Sequence, residues 1–269
     1  MAEFYVLANT TSCQMFGCVI KTASKTVVID GGTHKDGRQL ADVLKNLSRS
    51  HVDAWFFTHP HHDHIGCFAS VAKHFPEITV GTLYYRFPDL TDPDYAARAR
   101  SDVEPALWEN VKSWSTRFDI HEISAGEAFA FDDVTVRVLR VFNPAILENC
   151  INNSSAVYRV EGGQRSVLIL GDLGVEGGEE TMVLCPRELL QADYTQMAHH
   201  GQNGVSRAFY EYIQPKRCIW ASPDWLWEND QGNGFDTGIF QTVRTREWME
   251  ALGVQEHLVE KDGIHKFDI

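Results

Sequence analysis

The sequence predicts an α/β protein in which two mixed β-sheets pack face to face with helices outside. Strand-like runs come in sets, helix-like runs lie between the sets, and two rough halves of the chain each contain both. No linker-like shift in composition separates the halves, so one domain over residues 1–269 is expected. The 269 residues are 43% hydrophobic, enough apolar material for an extended core.

In order, "FYVLAN", "FGCVIKT" and "TVVIDGG" read as strands, the last ending in a turn at Gly31-Gly32. "DGRQLADVLKNLSRS" (36–50) sets Leu40, Val43, Leu44 and Leu47 at helical spacing. "DAWFFTH" is a short buried strand and "IGCFASVAKHF" a helix. "TVGTLYY" is a strand, followed by a helix over "YAARARSDVEPALWENVKSWS" with Pro105 as a break or fresh start. "FDIHEI", "EAFAFDD", "VTVRVLRVF", "SSAVYRVEGG" and "RSVLILGD" read as strands. Then come a helix "GGEETMVLCPRELL", a strand "DYTQMAHH", a helix "SRAFYEYI" and a strand "RCIWAS". "ENDQGNGFDTG" (228–238) reads as a long mobile loop, "FQTVRTREWMEALG" as a helix, and "VQEHLVEKDGIHKFDI" as closing strands.

Composition excludes several classes. The formal net charge is −13, and the nearest thing to a basic patch, "RFPDLTDPDYAARAR" (86–100), itself carries three Asp. A generic nucleic-acid binder needs clustered Lys and Arg to displace counterions, so long polyanions are disfavoured and a small-molecule substrate is expected. Runs such as "SVLIL" (166–170) are too short to span a bilayer, and the opening residues lack the pattern of a secretory leader. The expectation is a soluble, cytoplasmic protein without a membrane partner. Six cysteines with no CxxC pair suit reduced thiols.

The chemistry concentrates in "FFTHPHHDHIG" (56–66). Four of the chain's 12 His fall within six positions, together with Asp63. Imidazole and carboxylate oxygen suit Zn²⁺ and similar first-row ions, and Pro60 stiffens the loop. A loop after a strand can direct His59 and His61 to one ion, Asp63 and His64 to another. "VLILGDLG" (167–174) ends a buried strand in Asp172, and "YTQMAHHGQNG" (194–204) ends one in His199-His200-Gly201. Together these supply a bridging carboxylate and a further imidazole, the parts of a dinuclear hydrolytic site. "GGTHKDG" (31–37) and "GDLGVEGG" (171–178) lack nucleotide-binding spacing and read as turns.

"THPHHDHIG" matches the T-H-x-H-x-D-H-x-G signature, and with "VVIDGG" upstream the sequence resembles the metallo-β-lactamase superfamily. "NNSSAVYRV", "RSVLILGDLG", "MAHHGQNGVS" and the closing "EKDGIHKF" look most like the metallo-hydrolase domain of ComEC-type DNA-uptake proteins. The resemblance implies an αββα four-layer sandwich with metals at the edge between the sheets. It implies His59 and His61 on a first metal, Asp63, His64 and His199 on a second, and Asp172 bridging. His199 is preferred to His200 because it comes first after the strand; His200 then stands behind the ligands or exchanges roles with His199. Most members place a third His on the first metal. Here the matching "ENCINNSS" (148–155) offers Asn152 or Asn153, as ComEC-type sequences do, and Asn153 is taken as the ligand. An amide oxygen binds Zn²⁺ more weakly than imidazole.

The implied activity is hydrolysis by a metal-activated water, with one or two divalent ions, Zn²⁺ first and Mn²⁺ or Fe²⁺ as alternatives. Asp63 is expected to orient the nucleophile and accept its proton, and His200 or a loop residue to protonate the leaving group. The substrate class is a small ester, lactone or phosphodiester. A ComEC-like nuclease and a non-catalytic metal-binding regulatory module are the alternatives. Trp225 and Trp227, in a lid-like stretch, either line a pocket or pin that stretch to the body; Trp108 and Trp114 belong to a helix.

Overall fold

The computed structural model describes residues 1–90, 92–99 and 105–269. The first half of the chain supplies β1 (Glu3–Val6), β2 (Gly17–Lys21), β3 (Thr26–Asp30), β4 (His51–Phe56), β5 (Thr79–Tyr85) and β6 (Asp119–Glu122). The second supplies β7 (Ala128–Phe131), β8 (Val134–Arg140), β9 (Val157–Glu161), β10 (Ser166–Ile169), β11 (Tyr194–Gln196), β12 (Arg217–Trp220), β13 (Glu256–Val259) and β14 (His265–Asp268). Among the described residues these form two seven-stranded sheets, in the orders β14-β1-β2-β3-β4-β5-β6 and β13-β12-β11-β10-β9-β8-β7. Each sheet is mixed: one side is antiparallel, while β3 to β6 and β10 to β13 run parallel. The last strand crosses back to pair with β1, Phe4 opposite Phe267.

Alternation along the strands builds the layers. Phe4, Cys18, Ile20, Val27, Ile29 and Phe56 of the first sheet meet Val136, Tyr158, Val160, Val167 and Ile169 of the second in the central core. The opposite face of the first sheet, with Val19, Val28 and Trp55, is covered by α1 (Gly37–Asn46), α2 (His62–His74) and α4 (Pro105–Trp114); α3 (Pro93–Ala99) precedes the last of these. The outer face of the second sheet packs under α6 (Arg187–Leu190), α7 (Arg207–Ile213) and α9 (Thr242–Ala251), with α5 (Val175–Leu184) and α8 (Asp224–Trp227) beside them. The architecture is therefore helix, sheet, sheet, helix, as expected.

Local departures have local causes. The helix expected across 95–115 is described as α3 and α4, and residues 100–104 between them lie outside the described residues. The helix expected over 177–190 breaks at Pro186, which lacks the N–H a helix interior requires. The 228–238 stretch is closed on itself rather than free. Asn229 is buried, its amide donates to Asp236 Oδ1 and the Gly238 carbonyl, and it accepts from the Phe240 N–H. Among the described residues no helix is long and apolar enough to cross a membrane.

Candidate metal centre

The residues of interest gather where parallel strands end. β3 and β4 are parallel neighbours that end at Asp30 and Phe56, and the chain runs on from β4 through Thr58 and His59. It then enters α2 earlier than expected, with His61 as the N-cap and Asp63 and His64 in the first turn. A carboxylate there is favoured by the helix dipole. In the second sheet, β10 leads to Gly171, whose φ of +56° turns the chain so that Asp172 points back across the sandwich. A Cβ at Gly171 would sit 2.8 Å from Thr58 Cβ and Ser155 Oγ, so only glycine allows this approach. β11 stops at Gln196, and the following His199 and His200 both adopt left-handed backbone, φ 51° and 58°. Each such residue costs about 1–2 kcal/mol, which the surrounding contacts must offset.

Two groups of donor atoms result. Asp63, His64, Asp172 and His200, all buried, bring one donor each within 4.8 Å of one another; His59, His61 and Asp172 form a second group by the same measure. Asp172 belongs to both. Its Oδ1 lies 3.1 Å from His64 Nε2, and its Oδ2 lies 3.2 Å from His200 Nε2 and 3.7 Å from His59 Nε2. His200 Nε2 is also 3.2 Å from Asp63 Oδ2, and His59 Nε2 is 3.0 Å from His61 Nδ1.

The far side of each ring is fixed by the protein. His64 Nδ1 is 2.8 Å from Asp30 Oδ2, and His200 Nδ1 is 3.0 Å from the Ala221 carbonyl. His59 Nδ1 is 3.1 Å from the Thr58 hydroxyl, whose own proton goes to Asp30 Oδ2 at 2.7 Å. These partners accept, so each Nδ1 carries a hydrogen and each Nε2 is turned toward Asp172. Among the described residues, Nε2 of His64 and His200 and both Asp172 oxygens are buried without a hydrogen-bond partner. Lone pairs facing lone pairs need a shared positive charge. Burial opposes ionisation of Asp63 and Asp172, yet the neighbouring imidazoles, His200 and His64 foremost, hold both below the usual carboxylate range. Burial also disfavours charge on His64 and His200, but Asp172, with Asp30 beside the first and Asp63 beside the second, outweighs it and pushes His200 up to about 10. For His59, His61 and His199 burial dominates and lowers the pKa. A divalent ion satisfies these orphaned atoms together, so the donor set fits a metal.

Three expected assignments change. His200, not His199, stands in the four-residue group, because the chain kinks after β11 instead of continuing as a strand through His199. His200 has no nitrogen free for a leaving group, since one faces Ala221 and the other the two carboxylates. Asn153 is committed elsewhere: its Oδ1 accepts from Gly174 and Gly177 N–H, both at 3.0 Å, and its Nδ2 donates to the Glu148 carbonyl and Glu176. It braces the start of α5 instead of offering an oxygen to an ion. His62 is exposed at the rim. Trp227 packs edge-on against Trp220, and Trp225 donates to the Ser12 carbonyl at 2.8 Å, so both pin their segment to the body.

The family model of the metallo-β-lactamase superfamily matches residues 18–218, which contain every donor named above. The chain belongs to the metallo-β-lactamase superfamily. Members of this fold are mostly hydrolases or related enzymes and bind divalent metals. A 169-residue stretch, 62% of the chain, is 30% identical to ComE operon protein 3 of Bacillus subtilis (strain 168); the match covers 20% of that relative, so the chain spans about a fifth of its length. Among solved structures, CmlA, a diiron β-hydroxylase from Streptomyces venezuelae, aligns with TM-score 0.59 at 12% identity, over 100% of this chain and 54% of its own. Zn²⁺-bound PqqB from Methylobacterium extorquens aligns with TM-score 0.53 at 11% identity, over 99% and 100%. At such identities the two structures share the superfamily's fold with this chain.

Asp30 and Thr58 were not singled out by the sequence. Asp30 is fully buried with φ 56°, accepts from the Thr58 N–H and hydroxyl, and orients His64. The signal was present: "TVVID" is an apolar strand ending in an acid, the same pattern that marked Asp172.

Proposed function

We propose that the protein is a metal-dependent hydrolase acting on a small ester, lactone or phosphodiester. The observation that carries this is the convergence of imidazole Nε2 atoms on both oxygens of Asp172, a buried carboxylate with no hydrogen-bond partner among the described residues. A divalent ion held there would polarise a substrate oxygen and bring the pKa of a bound water from 15.7 to about 7. Asp63, His64, Asp172 and His200 would hold it on the buried side, with His59 and His61 on the outer side. Asp30 and the Ala221 carbonyl keep two of the rings in the tautomer that can ligate. The Asp63 carboxylate, one oxygen beside His200, would orient a water and take its proton. Substrate would enter at half-buried His61, since His59, His64 and His200 are closed to solvent. The net charge of −13 supports a small substrate over a long polyanion. Zinc is the first expectation from the imidazole-rich donor set, with Mn²⁺ or Fe²⁺ as alternatives.

The test is turnover of a panel containing p-nitrophenyl acetate, a homoserine lactone, bis(p-nitrophenyl) phosphate and single-stranded DNA. It is run with chelated protein and with protein reloaded with Zn²⁺, Mn²⁺ or Fe²⁺. Metal-dependent turnover of one of the small substrates, reduced at least 100-fold by Asp63→Asn with the circular dichroism spectrum unchanged, is the expected result. Turnover of DNA alone would replace the small-substrate reading. Turnover indifferent to chelation and to Asp63→Asn would end the proposal.

A further inference from the structure

The outer group, His59, His61 and Asp172, offers three ligand atoms, the number a catalytic zinc takes from protein beside its water, and Asn153 is bound up in the α5 brace, so the place of a further protein donor is open. We propose that His199 is the fourth donor of this outer position, so that the consecutive pair His199-His200 divides between two ions. The inference rests on the metal-site reading above.

Distances support the assignment. His199 Nε2 lies 3.9 Å from Asp172 Oδ2, the oxygen that His59 Nε2 approaches to 3.7 Å. Donors sharing a tetrahedral ion with bonds of about 2.0–2.1 Å stand about 3.3 Å apart, so His199, which stands outside the three-residue group, joins the shell by an inward movement of its ring. The ring is also held in the ligating sense. His199 Nδ1 faces the Asn203 carbonyl at 3.3 Å, which directs Nε2 at Asp172, as the other fixed rings are directed.

The backbone gives the second line of argument. In an extended chain, neighbouring side chains face opposite ways, so an inward His200 would send His199 out to solvent. Here both residues are left-handed, with φ 51° and 58°, and both rings reach the same carboxylate oxygen. The His199 N–H donates to the Gly171 carbonyl at 3.0 Å, tying the kink to the turn that presents Asp172. The two consecutive left-handed residues are what bring two imidazoles to one carboxylate oxygen. Exposure separates their stations: the His199 side chain is 17% exposed and the His200 side chain 0%.

The test uses the full chain and Zn²⁺ or Co²⁺ alone as the probe. His199→Gly keeps the left-handed backbone and removes only the ring. Ions per chain after dialysis, the dissociation constants by competition with a chromophoric chelator, and the Co²⁺ visible spectrum are measured alongside thermal unfolding. The wild type is expected to hold two ions. His199→Gly is expected to hold one tightly and the other at least 10-fold more weakly, with the weak site restored by added imidazole. Two ions held by His199→Gly with unchanged constants would overturn the assignment while leaving the metal-site reading intact. A wild type holding a single ion that His199→Gly does not weaken would overturn it likewise. A wild type that takes up no divalent ion would sink both.

Discussion

Replacing Asn153 separates a structural brace from a metal ligand. The Asn153 Oδ1 takes the N–H groups of Gly174 and Gly177, each at 3.0 Å. Gly174 is the N-cap of α5 and has no side chain to cap the helix, and both N–H groups belong to the set a helix start leaves unpaired. Asn153 is 1% exposed, so water does not readily replace it. Each buried donor left without a partner costs about 1–3 kcal/mol, so Asn153→Ala should destabilise the fold by about 2–6 kcal/mol. At about 2–4 °C per kcal/mol for a chain of this general size, the melting temperature should fall by at least about 4 °C. Asn153→His should fare no better. A Cβ at Gly174 or Gly177 would already stand 2.9 or 2.7 Å from the Asn153 amide, so a larger ring has no room, and it cannot accept from both N–H groups. Urea unfolding with metal content measured on the same samples decides the matter. A loss of stability at constant ions per chain is expected. A variant that loses an ion while unfolding within about 0.5 kcal/mol of wild type would refute the reasoning and return the amide to the ion.

Two further outcomes follow from the groups behind and within the centre. Asp30→Asn replaces the acceptor that fixes His64 Nδ1 and Thr58, and should weaken metal binding about 10–100-fold, read by chelator competition; unchanged affinity would show that Asp30 merely packs. In chelated protein the raised pKa of His200, about 10, makes its proton part of what neutralises Asp63 and Asp172. A group raised on folding lends stability that is fully present below its unfolded pKa, about 6.5, and lost as pH climbs through the folded value. Calorimetry of the chelated protein should therefore show the melting temperature falling from pH 6.5 to 10, whereas the metal-loaded protein, with no such proton to lose, falls less. Identical profiles would mean that the ion does not replace that proton.

The layered fold was legible because its signals are local. Apolar runs of strand length, helical spacing in 36–50 and turn residues between them can each be read within a short window. The donors at 59–64 were legible for the same reason: four His in six positions leave few structural alternatives. What could not be read was which nitrogen or oxygen is already spent. Asn153 looked available because its partners, the N–H groups of Gly174 and Gly177, lie more than 20 residues away and exist only once α5 docks. The order of His199 and His200 depended on where β11 stops, and two left-handed non-glycine residues in succession have no sequence mark. Asp30 had a mark, an acid closing a buried strand, the same mark that identified Asp172. Applied evenly, that rule finds both carboxylates. They differ in position within the site: Asp172 presents both oxygens to imidazole Nε2 atoms, while Asp30 takes the Nδ1 proton of His64 and the Thr58 hydroxyl. One buried acid thus meets the Nε2 atoms and the other holds a ring from its Nδ1 side, so the carboxylate within the donor group and the carboxylate that aims it are told apart by which ring nitrogen each meets.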